Sequence, residues 1–148
     1  SVQGVQNRGG IGVALANGAT YGMGPYSGIS LHQPGSNLTI ASVLTDSYRI
    51  TTNHARVLNI TSALNKTFTL TPGANTVPAL RLAAGNAVWT DNVINVSDWT
   101  VVCGALGSPS QNADADVNFD GLVDARDLAL VAGNWGLTSA VAYAAWLP

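Results

Sequence analysis

Oxygen-bearing side chains recur at set intervals in one twelve-residue stretch, "DVNFDGLVDARD", from Asp116 to Asp127. Asp116, Asn118, Asp120, Asp124 and Asp127 stand at positions 1, 3, 5, 9 and 12, the Leu122 carbonyl at 7 and Gly121 at 6. A hard cation such as calcium takes six to eight oxygens at about 2.3–2.6 Å, and a loop of this length supplies them from these positions, with glycine at 6 for the sharp turn. A polar turn capped by Asp would not fix so many positions at once. The expected metal ligands are therefore Asp116, Asn118, Asp120, Leu122 through its carbonyl, Asp124 and Asp127, and the expected cofactor is Ca2+. Position 12 holds Asp where such loops usually hold Glu. The side chain is one methylene shorter, so the exiting helix must sit closer to the ion. Val123, at position 8, would turn into the core.

The same punctuation occurs 29 residues earlier: Asp98 aligns with Asp127, Val102 with Val131, Gly104 with Gly133, Leu106 with Trp135 and Gly107 with Gly136. Each unit reads loop, helix, glycine stop, and the glycines fit left-handed helix caps. The earlier loop is damaged. Asp91, Val93, Asn95 and Asp98 fall at positions 5, 7, 9 and 12, but Asn92 replaces the glycine and positions 1 and 3 are Ala87 and Trp89. Asn86 through a one-residue bulge, or a backbone carbonyl, could substitute. Fewer charged ligands imply weaker binding, so the second ion is the less secure of the two.

Helices must follow each loop. Trp99, Val102, Cys103 and Leu106 repeat at helical spacing, as do Leu128, Val131, Ala132 and Trp135. On that spacing Cys103 packs as a small hydrophobe, and Trp99 and Trp135 share the core face. Residues 1–82 differ: short runs such as "GIGVALANG", "SGISLHQPG", "SNLTIASVL", "SYRITTNHA", "RVLNITSAL", "KTFTLTPG" and "NTVPALRLA" alternate or are β-branched, and turn residues separate them. About seven short strands of this kind imply an antiparallel β-sandwich. The fold class expected is α+β in two modules: a sandwich over 1–83, a pair of calcium loop–helix repeats over 84–138, and a tail over 139–148.

Charge is scarce and divided. Only 9% of residues are charged and every acid is Asp, where about 25% is typical. Residues 1–85 carry Arg8, Arg49, Arg56, Lys66 and Arg81 against Asp46, a net of +4, and residues 86–148 carry seven Asp against Arg126, a net of −6. Such a split allows head-to-tail attraction between copies. No basic cluster points to nucleic acid, no 18-residue apolar run spans a membrane, and a single cysteine excludes an internal disulfide. The chain opens with no signal peptide in view, so a secreted form would be mature. His32 and His54 have no Glu, Cys or second His at metal spacing, no G-x-S-x-G elbow exists, and no catalytic constellation forms. Sequons at Asn37, Asn59 and Asn65 are glycan acceptors if the protein is secreted; a fourth, at Asn95, is read as a metal ligand instead.

The paired runs "TDNVINVSDWTVVCGALG" and "DVNFDGLVDARDLALVAGNWG" resemble type I dockerin modules over about residues 85–138. That resemblance implies calcium sites, two helices packed face to face, and a cohesin partner contacted through the helix surfaces, often at loop positions 10 and 11. Those positions are Val96-Ser97 and Ala125-Arg126, which do not match each other, against a symmetric dual mode. The runs "GSNLTIASVLTDSYRITTNHARVLNIT" and "KTFTLTPGANTVPALRL" resemble a carboxypeptidase-regulatory-like, prealbumin-type sandwich, a non-catalytic spacer or adhesive module.

Two functions compete. The first is a non-enzymatic, calcium-dependent extracellular structural protein that assembles with copies of itself as a filament or surface-layer subunit. Here the uncharged surface and the terminal segments 1–10 and 139–148 reach neighbours, and Trp146 anchors in a neighbour rather than in its own sandwich. The second is a dockerin module that plugs into a cohesin on another secreted protein. A carbohydrate-binding sandwich ranks last, because residues 1–82 contain no Trp. Trp89, displaced from ligand duty, is expected to pack between the modules.

Overall fold

The computed structural model describes residues 10–16, 26–31, 39, 46–108 and 114–148. They form a mixed α/β structure of small sheets and few helices. Four strands make an antiparallel sheet in the order β2-β1-β3-β5: β1 (Gly10–Ala16), β2 (Tyr26–Leu31), β3 (Ser47–Asn53) and β5 (Thr67–Thr69). In β3, "SYRITTN", alternation puts Tyr48 and Ile50 in the interior, where they meet Leu15 of β1. Leu15 lies opposite Ile50, and Tyr48 opposite Phe68, so cross-strand pairs hold this sheet. The two-stranded ladder of β4 (Arg56–Val57) and β6 (Ala84–Asn86) is separate. No second full sheet faces the first among the described residues, so the seven-strand sandwich expected for residues 1–83 does not appear there. The Asn17-Gly18 turn, His32, Asn37 and most of "SNLTIASVL" lie outside the described residues.

The helices are α1 (Val96–Gly104), α2 (Ala125–Gly133) and the short α3 (Ser139–Ala142). α1 and α2 begin in the same way. Asn95 and Asp124 cap them, and Asp98 and Asp127 complete the reciprocal capping boxes. Both helices turn a fully buried valine inward, Val102 and Val131. The left-handed glycines are Gly107 and Gly136, at φ 76° and 78°. Gly104 and Gly133 end the helices but are not left-handed, so of the two glycines per repeat expected as left-handed caps only the later one takes that conformation.

A single cluster of buried side chains crosses the chain's halves. Val57, Leu58, Ile60 and Leu82 pack with Ile94, Val102, Val123, Val131 and Tyr143. The tail takes part in it. The Tyr143 hydroxyl donates to the Leu58 carbonyl and accepts from the Ala83 N–H at 3.0 Å. Burial holds its phenol up at about 12, with the Ala83 N–H pulling the other way. Trp146 packs against both clusters and donates its indole N–H to the Pro78 carbonyl at 3.0 Å. Lys66 Nζ reaches the Trp146 carbonyl at 2.6 Å. Trp146 therefore clasps its own chain, contrary to the anchor in a neighbour expected from sequence: its ring and its N–H both find partners at home.

Gly85 sets the distance between ladder and helix. It is left-handed, with φ 113°, and a Cβ there would lie 3.1 Å from Val131 Cα and 3.2 Å from its nitrogen. Those contacts are backbone and cannot swing away. Gly85→Ala is expected to lower stability by about 1–3 kcal/mol in urea denaturation. Gly104→Ala, with open space around the new methyl, is expected to be neutral or to raise it by up to about 1 kcal/mol.

Candidate metal centre

The two loops pair through each other. Gly107 N–H donates to the Val123 carbonyl (3.0 Å) and Val123 N–H to Ser108 (3.3 Å). Twenty-nine residues apart, Gly136 N–H donates to Ile94 (2.8 Å) and Ile94 N–H to Leu137 (2.9 Å). Position 8 of each loop thus binds the chain leaving the other repeat's helix. Ile94 and Val123 are both fully buried, as position 8 requires.

The loop at 116–127 is wound around its own carboxylates. Asp116 accepts from the N–H groups of Asp120 (3.1 Å) and Gly121 (3.0 Å), and Asp120 from Leu122 (3.0 Å). Asn118 Oδ1 accepts from Asp120 N–H at 2.8 Å. Asp127, fully buried, accepts from Asn118 N–H (3.1 Å) on one oxygen and Asp124 N–H (2.9 Å) on the other. Burial pushes the Asp127 carboxyl up; these N–H groups pull it back, and the nearby Asp116 and Asp120 charges push it further up. At Asp120 burial also pushes up, but the Leu122 N–H, Asn118 and Arg126 together hold the carboxyl below its ordinary value. Arg126 closes the outer side, with Nη1 3.1 Å from Asp120 and 4.0 Å from Asp124. Gly121 is left-handed at φ 95°, as position 6 demands.

Among the described residues no group of three or more His, Cys, Asp or Glu side chains is gathered closely enough to hold a metal; the carboxylates face their own backbone. Each carboxylate oxygen has lone pairs beyond those given to N–H groups. The crowding of like charges around Asp127 is what a divalent cation would relieve. The donor set, carboxylates with one amide and one carbonyl, is the one calcium prefers. The residues present therefore fit the ion. Asp116, Asn118, Asp120, Asp124, Asp127 and the Leu122 carbonyl would hold it.

The loop at 87–98 keeps the frame and loses the donors. Val93 N–H bonds Asp91 at 3.1 Å, Ser97 N–H bonds Asn95 at 2.7 Å, and Asn95 N–H bonds Asp98 at 2.7 Å, all matching the other loop. The break comes at the second oxygen of Asp98, which takes Val88 N–H at 2.8 Å, one position earlier than in the intact loop. Ala87, at position 1, is 2% exposed and brings a methyl where Asp116 brings a carboxylate. Asn92, at φ 57°, fills the glycine position, and its amide pairs both ways with the Asn59 backbone, at 2.7 and 3.1 Å. Asp91, Val93, Asn95 and Asp98 thus remain as four candidate donors, with no side-chain oxygen at positions 1 and 3. Asn86, the possible bulge ligand, is fully buried; its Nδ2 donates to the Val57 carbonyl and its Oδ1 has no hydrogen-bond partner among the described residues.

Other expectations shift. Cys103 is exposed, and Trp135 is 51% exposed, stacked edge-on against the half-buried Trp99 at 6.2 Å. The helix turns Val102 rather than Cys103 into the core. Trp89 is 53% exposed and borders an open cavity of about 390 Å3 with Thr90, Val101 and Asp114, so it does not fill a seam between modules. The Asn59 side chain holds Thr52, the His54 N–H and the His54 carbonyl, bonds a glycan would have to displace. Asn65 is exposed and accepts from Arg49. A contact to the intact loop from outside the repeats that has no sign in the sequence comes from Arg56. Its Nη1 donates to the Asp116 carbonyl, and burial pushes its guanidinium down against the pull of Asp116, Asp114 and Asp127.

The two loops should respond differently to one substitution. Asp98→Asn turns an amide nitrogen toward a backbone N–H, so it is expected to cost about 1–3 kcal/mol in calcium and in EDTA alike. Asp127→Asn is expected to abolish the gain from calcium, about 2.7 kcal/mol at a hundred times the dissociation constant. Calorimetry on the unaltered chain should return one ion; thermal melts of the two variants with and without calcium make the comparison.

No curated protein matches the chain. Two of the solved structures that share its fold are similar over most of their length. Both are type II cohesin–X-dockerin complexes from Acetivibrio cellulolyticus, one an N-terminal and one a C-terminal interface mutant. A chain of the first aligns with TM-score 0.59 and 19% identity, a chain of the second with 0.60 and 18%; each alignment covers 90% of this chain and 85% of the other. Neither comparison points to a prealbumin-type domain ahead of the repeats. No helix among the described residues is long and apolar enough to cross a membrane. The dockerin type I domain family, whose members bind calcium, matches residues 88–134, the stretch that holds both helices of the crossed pair and, save Ala87, both loops.

Proposed function

We propose that the chain presents residues 84–138 as a calcium-loaded dockerin module that inserts into a cohesin domain of another secreted protein, and that it performs no catalysis. The observation that carries this reading is the crossed pairing of Ile94 and Val123 within the segment matching the dockerin type I family. It sets α1 and α2 side by side with their outer faces free. Val96, Ser97, Thr100 and Cys103 are exposed on α1, and Ala125, Arg126, Ala129 and Ala132 on α2. The two faces present similar small and apolar side chains but differ at the loop exit, Val96-Ser97 against Ala125-Arg126, so one orientation should dominate. Structural likeness to cohesin–X-dockerin complexes supports a cohesin partner and an extracellular setting, with the N-terminal strands as a companion module.

Self-assembly into a filament or surface layer has less support. Its chief anchor, Trp146, is satisfied within the chain. Calcium would act by holding the loop that aims α2, not by bridging copies.

The test is retention on immobilised type I and type II cohesin domains. Retention in calcium, released by EDTA, is the expected result. Failure to bind either type, together with sedimentation that grows with protein concentration, would overturn this reading in favour of assembly.

A further inference from the structure

Arg56 stands at the start of β4, outside both repeats, yet it touches the intact loop twice. Nη1 donates to the carbonyl of Asp116, position 1, at 2.9 Å, and the guanidinium lies 4.2 Å from the ring centroid of Phe119, position 4. His54 meets the same ring edge-on at 4.8 Å. Arg56 and Phe119 are both left-handed, at φ 65° and 60°. Non-glycine residues persist in that region only where surrounding contacts over-determine them. Arg56 Nε is also buried with no hydrogen-bond partner among the described residues. Backbone strain and a lost hydrogen bond are both tolerated to keep this side chain in place.

The contact consumes no ligand oxygen, because it takes the carbonyl of Asp116 and leaves the carboxylate. The loop's four aspartates outweigh a divalent cation, so the loop stays anionic when loaded and the guanidinium is not expelled. Groups just outside a metal's ligands typically govern affinity by about 10–100-fold through orientation.

We propose that Arg56 is a positioning residue for calcium at Asp116–Asp127, fixing the loop's entry and its fourth residue from the β4 side so that the ligand oxygens are arranged before the ion arrives. The proposal rests on the calcium reading above. It ties the N-terminal half of the chain to metal affinity.

Calcium is titrated calorimetrically into the full chain and into Arg56→Met and Arg56→Lys, with amide exchange of Asp120 and Gly121 followed in EDTA. Both variants are expected to bind about tenfold more weakly, since lysine keeps the charge but cannot stack and donate in one plane. Both should also exchange these two amides faster without any metal, while the crossed amides of Gly107, Val123, Ile94 and Gly136 stay protected. Arg56→Met binding as tightly as the unaltered chain, or more tightly, would make Arg56 a mere counter-charge and overturn the proposal. Full affinity in Arg56→Lys would overturn it too. If Arg56→Met does not fold, Arg56→Lys decides. If the unaltered chain binds no calcium, the calcium reading fails by itself, and the EDTA exchange rates still show whether Arg56 orders the loop.

Discussion

Four crossed backbone hydrogen bonds govern this half of the molecule. Ile94 bonds the chain at Gly136 and Leu137, and Val123 bonds the chain at Gly107 and Ser108. Neither repeat can close alone, because the partner for its position 8 lies past the other repeat's helix. Buried backbone polar groups must be paired, so the two units fold together or not at all. Their helices must then lie side by side, and Val102 and Val131 meet between them. The capping aspartates, the left-handed glycines and the exposed helix faces take their places from this pairing.

The rest of the chain attaches to that unit at points of different character. Gly85 brings β6 within backbone contact of α2, where Asn134 Nδ2 donates to the Ala84 carbonyl at 2.7 Å. Tyr143 returns from beyond α2 to bond Leu58 and Ala83 at once. Arg56 reaches the loop at 116–127, and Asn92 of the other loop reaches Asn59. Each uses a polar group inside or beside the apolar cluster, so each sets geometry as well as stability. A buried hydrogen bond contributes about 0.5–1.5 kcal/mol when made, but leaving one partner unpaired costs about 1–3.

How much of this the sequence announced depends on how local the cause was. The intact loop, the repeat spacing, the capping boxes and the helices could be read because oxygen donors, glycines and valines recur at fixed intervals. The exposure of Cys103 was misread because Val102 beside it satisfies the same helical spacing, and only the neighbouring helix decides which residue turns inward. Trp146 and Arg56 were illegible for another reason: their partners, Pro78, Asp116 and Phe119, lie 60 or more residues away in the chain, and no periodicity records such a meeting. β1, β2, β3 and β5 fall on runs marked by alternation or β-branching, while "NTVPALRLA" forms no strand; and such patterns do not say how many sheets the strands join.

The damaged loop shows what a loop needs when it lacks a full donor set. Its turn at position 6 survives without glycine because Asn92 tolerates the left-handed region and its amide, paired with the Asn59 backbone, fixes it there. Its entry survives without an acid because Ala87 is buried in the apolar cluster. Its exit survives because both oxygens of Asp98 bind backbone N–H groups. Protein contacts thus perform each task that ligands perform elsewhere. The contacts that Arg56 and His54 make with the intact loop from outside fall on its entry and its fourth residue rather than on the ligands. The divergence of the repeats then follows packing: the loop that leans on residues 57–60 has lost the side-chain donors of positions 1 and 3, and the loop at 116–127 has kept its full set.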